Sequence, residues 1–401
     1  MGLYGAEMIR LRLAEAVDPS SSSSKVPTTT IRGFDESFHE QKYPLFMAEI
    51  RGIANGSGVD YDEILWLNLR EEGRGCSDYT VPPAVGHNED NRPSDWNRTF
   101  LAEVWIDGAF MVGYVYAGEL PTGGFGWNTK IVATVDYVEP RDFLLRGGVG
   151  RNWVGRALLA AQSLEEALEI ARVPHIAGHN YQIFNSTHFF VGEVARNLSV
   201  FFEAKGPVFK ANEYDLLDIP QRIGPSTVHR TARALAQLGA PEDAKGILDV
   251  LWDERDVDGS GRYGIYCPTC TLCTALFDKK RVSIYVAKRL VYELGDWTRP
   301  TWFPAAAAAN DSLLLVLLQE EGVVLRREEP HHWSQMAAVA LVLVFFAAVV
   351  FFFVARAASM PGALRDYLFA ASPTTRRAVV TLVPIREAPL EEEEEGEGVP
   401  N

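Results

Sequence analysis

The chain has 401 residues, enough for one large domain or two ordinary ones. Hydrophobic residues make up 47% and charged residues 23%, which permits a sizeable core, and a formal charge of -15 excludes the basic footprint of a nucleic-acid-binding protein. The charge is uneven, with six acidic side chains gathered at 391–395 and 397.

Residues 1–27 read as a flexible leader. Arg10, Arg12 and Glu15 interrupt any signal-peptide pattern, and a serine run fills 20–24. Asp60 and Glu63 make a capping box that predicts a helix to about residue 72, ended by Gly73 and Gly75. After Cys76 the texture changes to β-type runs at 99–106, 110–116 and 130–137. A helical block at 153–172 is divided at 162–163 by a second capping box, Ser163 with Glu166. Strands are predicted at 181–184, 189–194 and 199–204, helices at 227–238 and 242–252, and a last strand pair at 271–277 and 282–286. Runs segregated in this way point to an α+β layered domain rather than to alternating βαβ units.

Beyond about residue 290 the periodicity fades, and 291–335 reads as a linker. Residues 336–355 are twenty residues without a charge. As a helix they would rise about 30 Å, the thickness of a bilayer's hydrocarbon core. A transmembrane helix and single-pass membrane attachment are therefore expected, with the missing signal peptide favouring a cytoplasmic catalytic domain. Residues 356–401 read as a disordered acidic tail.

The chemistry centres on Gly75-Cys76-Ser77-Asp78 and Gly86-His87-Asn88-Glu89-Asp90. A free thiol has a pKa of roughly 8.5 and needs a base at neutral pH. A cut at Gly75–Cys76 would supply one: the new α-amino group, with a pKa of about 7.7–8.0, attached to the nucleophile itself. Gly75 permits the strained backbone that an internal thiol attack needs, and Asp90 is a candidate to hold the amine. His87 and His179 read as structural histidines. Cys267, Cys270 and Cys273 lack the fourth ligand of a closed zinc site and are expected as reduced thiols. Asp256 to Gly261 mimics the start of a calcium loop, but position 12 is Cys267 rather than glutamate, so a surface turn is expected. No metal and no cofactor is expected.

These motifs, with Gly124-Phe125-Gly126-Trp127-Asn128, Gly150-Arg151-Asn152, Gly178-His179-Asn180-Tyr181 and Thr271-Leu272-Cys273-Thr274, occur in order along the chain. Together they resemble the acyl-CoA:isopenicillin N acyltransferase family, and within it the β-alanyl-dopamine (carcinine) hydrolase branch. The resemblance implies a four-layer αββα sandwich of the N-terminal-nucleophile hydrolase type. It implies a precursor that cuts itself into an α chain (28–75) and a β chain (76–290) that stay associated. It implies Cys76 as nucleophile, Asp90 as holder of the freed amine and Asn180 as oxyanion donor. The substrate implied is a small amide, an N-acyl or β-alanyl-amine conjugate that is hydrolysed; the alternatives are an acyltransferase passing the acyl group to an amine, or a catalytically weakened membrane-bound binding module. Family members carry an arginine shortly before the 271–277 strand; here Cys267 stands in that place, and Arg262 is the candidate substitute.

Overall fold

The computed structural model describes residues 2–16, 34–69, 75–106, 109–121, 124–142, 147–238, 240–299, 314–319, 322–327 and 378–384. The chain divides into two units. The smaller comprises 105–108 and 303–381, and its described residues include one antiparallel hairpin, Leu314–Gln319 with Gly322–Arg327. The larger unit carries the helices and the two sheets described below.

Its helices are α1 (Gly2–Ala16), α2 (Glu36–Lys42), α3 (Pro44–Ser57), α4 (Tyr61–Leu69), α5 (Arg151–Leu158), α6 (Leu164–Ala171), α7 (Pro225–Ala232) and α8 (Ala244–Leu251). Its strands are β1 (Ser77–Val81), β2 (Ala84–Asp90), β3 (Thr99–Ile106), β4 (Ala109–Tyr116), β5 (Phe125–Asn128), β6 (Val132–Pro140), β7 (Gly178–Phe184), β8 (Phe189–Ala195), β9 (Leu198–Glu203), β10 (Val208–Lys210), β11 (Gln221–Arg222), β12 (Thr271–Asp278), β13 (Arg281–Val286) and β14 (Arg289–Leu294). One sheet has the order β10-β1-β2-β12-β13-β14, and the other runs β3-β4-β5-β6-β7-β8-β9. The pairings are antiparallel.

The local signals behind these elements are physical. Ser163 caps α6 by accepting from the Glu166 N–H, while the Glu166 carboxylate reaches back to the Gln162 N–H. Asp243 caps α8 in the same way at Gly246.

Strands β1 and β2 are buried on both faces, and side chains alternate between two environments. Asp78, Thr80, His87 and Glu89 point toward the other sheet. There Thr80 donates to Gln182, Thr134 donates to Asp78, and Phe125 meets the His87 ring edge-on. Phe277 packs against Phe125, Trp127 and Phe184 in the same layer. The opposite face of β1 and β2 meets α8, where Tyr79 and Val81 join Ile247, Leu248 and Leu251 in one cluster. Each such apolar side chain contributes about 1.5–3 kcal/mol when fully buried. Gly86 is required here, because a Cβ would lie 2.4 Å from Ile247 and 2.6 Å from Leu251.

Three expectations are corrected. The first is the fold class. The architecture is a mixed α/β one with two antiparallel sheets, and no helix among the described residues is long and apolar enough to cross a membrane. The α+β four-layer αββα sandwich with a C-terminal transmembrane helix is therefore not upheld as a whole; its membrane segment, 336–355, lies outside the described residues.

The second is the leader. Over Gly2–Ala16 it is helix α1, with Ile9 and Leu13 buried. Arg12, only 4% exposed, donates to Asp95, Glu119 and the Ala117 carbonyl at 2.7–2.9 Å. Its charge is met inside the fold, which is why a sequence that looks too polar for a core is ordered.

The third concerns the cysteines. Cys267 and Cys270 are joined in a disulfide, whereas Cys76 and Cys273 are free and buried.

Candidate active site

Cys76 sits immediately before β1 and is buried. Gly75 precedes it with φ +128°, a conformation side chains other than glycine rarely adopt. A Cβ at Gly75 would lie 2.4 Å from both Arg230 Nη2 and Asn212 Oδ1. Arg230 lies on α7, 1% exposed, among the buried positions Thr227, Arg230, Arg233 and Ala234. Its Nη1 donates to the Cys76 carbonyl at 2.5 Å and to Ser77 Oγ at 2.7 Å. Its Nη2 donates to Asn212 Oδ1 at 2.6 Å. One guanidinium thus clamps the backbone on the C-terminal side of the Gly75–Cys76 bond.

The sulfur faces carboxylates. Ligand atoms of Cys76, His87 and Glu89 lie within 4.8 Å of one another. His87 is held at both ends, by Asp78 at Nδ1 and Glu89 at Nε2, each at 2.9 Å. Only the imidazolium can donate at both nitrogens. Burial opposes that charge, but the two carboxylates outweigh it and push His87 well above its ordinary range. Tyr116 donates to the second Glu89 oxygen at 2.5 Å, and the Arg12 guanidinium lies over the Tyr116 ring. Helix α1 thereby supports the site from behind.

Asp136, paired with Asn180 across β6 and β7, has no hydrogen-bond donor for either oxygen among the described residues. Burial, and then the Asp78 charge, push its carboxyl well up. Burial and then the Glu89, Asp136 and Asp90 carboxylates push the Cys76 thiol well up too. The Asp90 backbone N–H, donating to the sulfur, works the other way.

Asp90 accepts from Thr271 Oγ1 at 2.6 Å. Burial pushes its carboxyl up to about 7, against the pull of Arg230 and Thr271. A carboxyl so raised binds its proton more tightly in the folded than in the unfolded chain. Its stabilisation is complete below the unfolded pKa of about 3.9 and is lost as the pH rises through about 7. Over that window the loss is roughly 4 kcal/mol at most. Asp90→Asn keeps the acceptor for Thr271 and removes the titration. The variant's urea midpoint should therefore fall less than the parent's between pH 4 and 7; parallel curves would show that Asp90 titrates normally.

Asn180 donates both amide hydrogens to backbone, to Ala211 at 2.6 Å and Glu213 at 3.1 Å. Its Oδ1 is buried without a donor among the described residues. It steadies the segment that carries Asn212, and an oxyanion-donor role would require one of those bonds to open. Arg262 is exposed and lies over the Tyr263 ring, so the guanidinium at Cys76 is that of Arg230. Sequence reasoning missed Arg230, Glu89, Asp136 and Asn212. A readable signal for Arg230 was a basic residue on the otherwise buried stripe of a helix.

Among the described residues three groups offer metal-ligand geometry: Cys76 with His87 and Glu89, Asp78 with His87 and Asp136, and His229 with Asp256 and Asp258. In the first, both His87 nitrogens and both Glu89 oxygens already have protein partners. In the third, the Asp256 oxygens take His229, Val257, Ser260 and Tyr263 in a closed turn.

A buried cysteine at the head of a strand, with carboxylates and an arginine beside it, is a candidate nucleophile for acyl transfer. The sequence profile of the acyl-coenzyme A:6-aminopenicillanic acid acyl-transferase family matches residues 78–289, more than half of the chain. The chain belongs to that family and is an enzyme of the acyltransferase and amide-hydrolase type, acting on small molecules. No curated protein matches it.

Proposed function

We propose that the protein is a self-processing cysteine hydrolase that cleaves small N-acyl or β-alanyl-amine conjugates through a Cys76 thioester. The observation that carries this reading is the junction itself: Gly75 at φ +128°, pressed against Arg230, directly before a buried cysteine. In processing, the Cys76 sulfur attacks the Gly75 carbonyl, the Gly75–Cys76 amide bond breaks, and the nitrogen leaves as the α-amino group. Water then releases the thioester. The new amine, with a pKa of about 7.7–8.0, is both a base for the thiol and a cation beside Asp90. That cation counters the carboxylates that hold the uncut thiol protonated. In turnover the same sulfur takes the acyl group, the amine of the substrate leaves with the thiol proton, and water regenerates the enzyme.

Contacts across the junction support continued association of the two chains after cutting. Asn68 donates to the Gly118 carbonyl and accepts from the Leu120 N–H, and Arg156 forms a two-point pair with Glu49. The test is the intact mass of the purified protein: a new chain beginning at Cys76 is expected, and a persistent full-length chain refutes self-processing. Gly75→Ala should slow the cut about 10- to 100-fold, through a strained φ and a displaced Arg230. The time course of the two fragments on a gel reads this directly.

The family's description favours a second reading, in which an amine rather than water resolves the thioester. Added amine acceptors would then divert product from the free acid to a new amide, whereas a hydrolase yields acid regardless.

A further inference from the structure

We propose that the Cys267–Cys270 bridge is a thiol–disulfide exchange site whose state, relayed by Thr271, sets the position of Asp90. The proposal rests on Asp90 belonging to the Cys76 site.

The bridge closes a tight turn with a Cα–Cα distance of 5.2 Å. Cys267 O accepts from the N–H groups of Cys270 at 3.0 Å and Thr271 at 2.8 Å. The Cys267 N–H donates back to Thr271 Oγ1 at 2.9 Å, and that hydroxyl gives its own proton to Asp90 at 2.6 Å. The Cys270 carbonyl accepts from the Asn91 N–H at 2.8 Å. Both the Asp90 side chain and the backbone just after it are therefore held by the turn.

Regular pairing does not back this up. Between Thr271 and Cys273 the register of β12 on β2 shifts, so the sheet ladder is interrupted beside Asp90. A bridge closing so few residues removes little chain entropy from the unfolded state, so its main effect is local geometry rather than global stability. It is also reachable. Both cysteines are half-buried, and Pro268 and Thr269 between them are exposed. A dithiol passes two electrons and two protons to the bridge, leaving as its own disulfide, and Cys267 and Cys270 become thiols. The covalent tie across the turn is then gone, and Thr271 loses its fixed hold on Asp90. Thr271 is a positioning residue: it acts on the site only through Asp90.

The experiment uses the full-length protein, oxidised or reduced with dithiothreitol, with alkylation and peptide mass confirming the state of Cys267 and Cys270. Amide hydrogen exchange is followed at Asn91 and Thr271, alongside kcat and KM on an amide substrate. On reduction, exchange at both amides should rise and kcat should fall, each about tenfold, the value of one hydrogen bond to a charged group, with KM unchanged. Reoxidation restores both. The double variant Cys267→Ser with Cys270→Ser should sit at the reduced level and ignore the reductant. Thr271→Val should show the low kcat with the bridge intact, and Thr271→Ser should recover it. A fully reduced bridge with unchanged exchange and kcat overturns the proposal, as does a response that persists in the double variant. Hydrogen exchange reads the coupling without turnover, so an inactive protein would count against the hydrolase reading while leaving this one decided on its own arm.

Discussion

Replacing Cys76 by alanine is expected to leave a full-length chain and to lower turnover by on the order of 10⁴–10⁶-fold, as removal of a nucleophile does elsewhere. The side chain is small and buried, so the fold should survive the change. Its neighbours make the effect specific. His87 and Glu89 keep their mutual bond and Asp78 keeps His87, because none of these contacts passes through the sulfur. The variant should thus unfold near the parent's temperature while remaining uncut. Cys76→Ser separates the two roles of the sulfur. A hydroxyl can undergo the N-to-O acyl shift but lacks the nucleophilicity of sulfur, so slow cutting with little turnover is expected. Normal cutting in the alanine variant would place the nucleophile elsewhere.

Arg230→Ala is expected to cost about 3–5 kcal/mol in urea unfolding and to abolish efficient cutting. The guanidinium makes its bonds to Cys76, Ser77 and Asn212 in a site almost closed to water, and each lost bond leaves a buried acceptor unpaired. There is a second, electrostatic consequence. Arg230 holds down the carboxyl of Asp90, which burial has already raised to about 7. Removing the cation moves Asp90 further up, so the acid limb of the pH–rate profile should shift to higher pH. Arg230→Lys keeps a charge but loses the fork that reaches three acceptors at once. It should return the acid limb most of the way while leaving cutting slow. An unshifted acid limb in the alanine variant would show that the two groups do not communicate.

The contrast between Arg230 and Arg262 explains what the sequence could and could not disclose. The nearness of Cys76 and Asp90 is a local property, since Cys76 stands immediately before β1 and Asp90 ends β2, its hairpin partner. Arg230 reaches Cys76 across a separation of 154 residues, and nothing near Cys76 encodes that meeting. Arg262 lies close to β12 in the chain, but it is exposed and stacks on the Tyr263 ring. Helix α1 fails to stand out for a similar reason. Arg12 reads as a surface residue until Asp95 and Glu119 arrive from 83 and 107 residues away. The central strands β1 and β2 lack the polar–apolar alternation that marks a half-exposed strand, because both their faces are buried. The hairpins β3–β4, β7–β8 and β12–β13 were placed well, since close pairing of neighbouring runs is written locally.

Strand β2 carries chemistry and packing on opposite sides of one ribbon. His87 and Glu89 look toward the sulfur, while Gly86 admits the side chains of α8 and Asn88 donates to the Leu251 carbonyl. A slip of one residue would exchange these faces, placing a histidine and a glutamate against an apolar helix and a glycine and an amide beside the thiol. No register error here is silent. Any insertion or deletion in the β1–β2 turn that the fold could absorb by sliding would take apart the candidate site in the same movement, so the length of this turn is under one constraint that serves two ends.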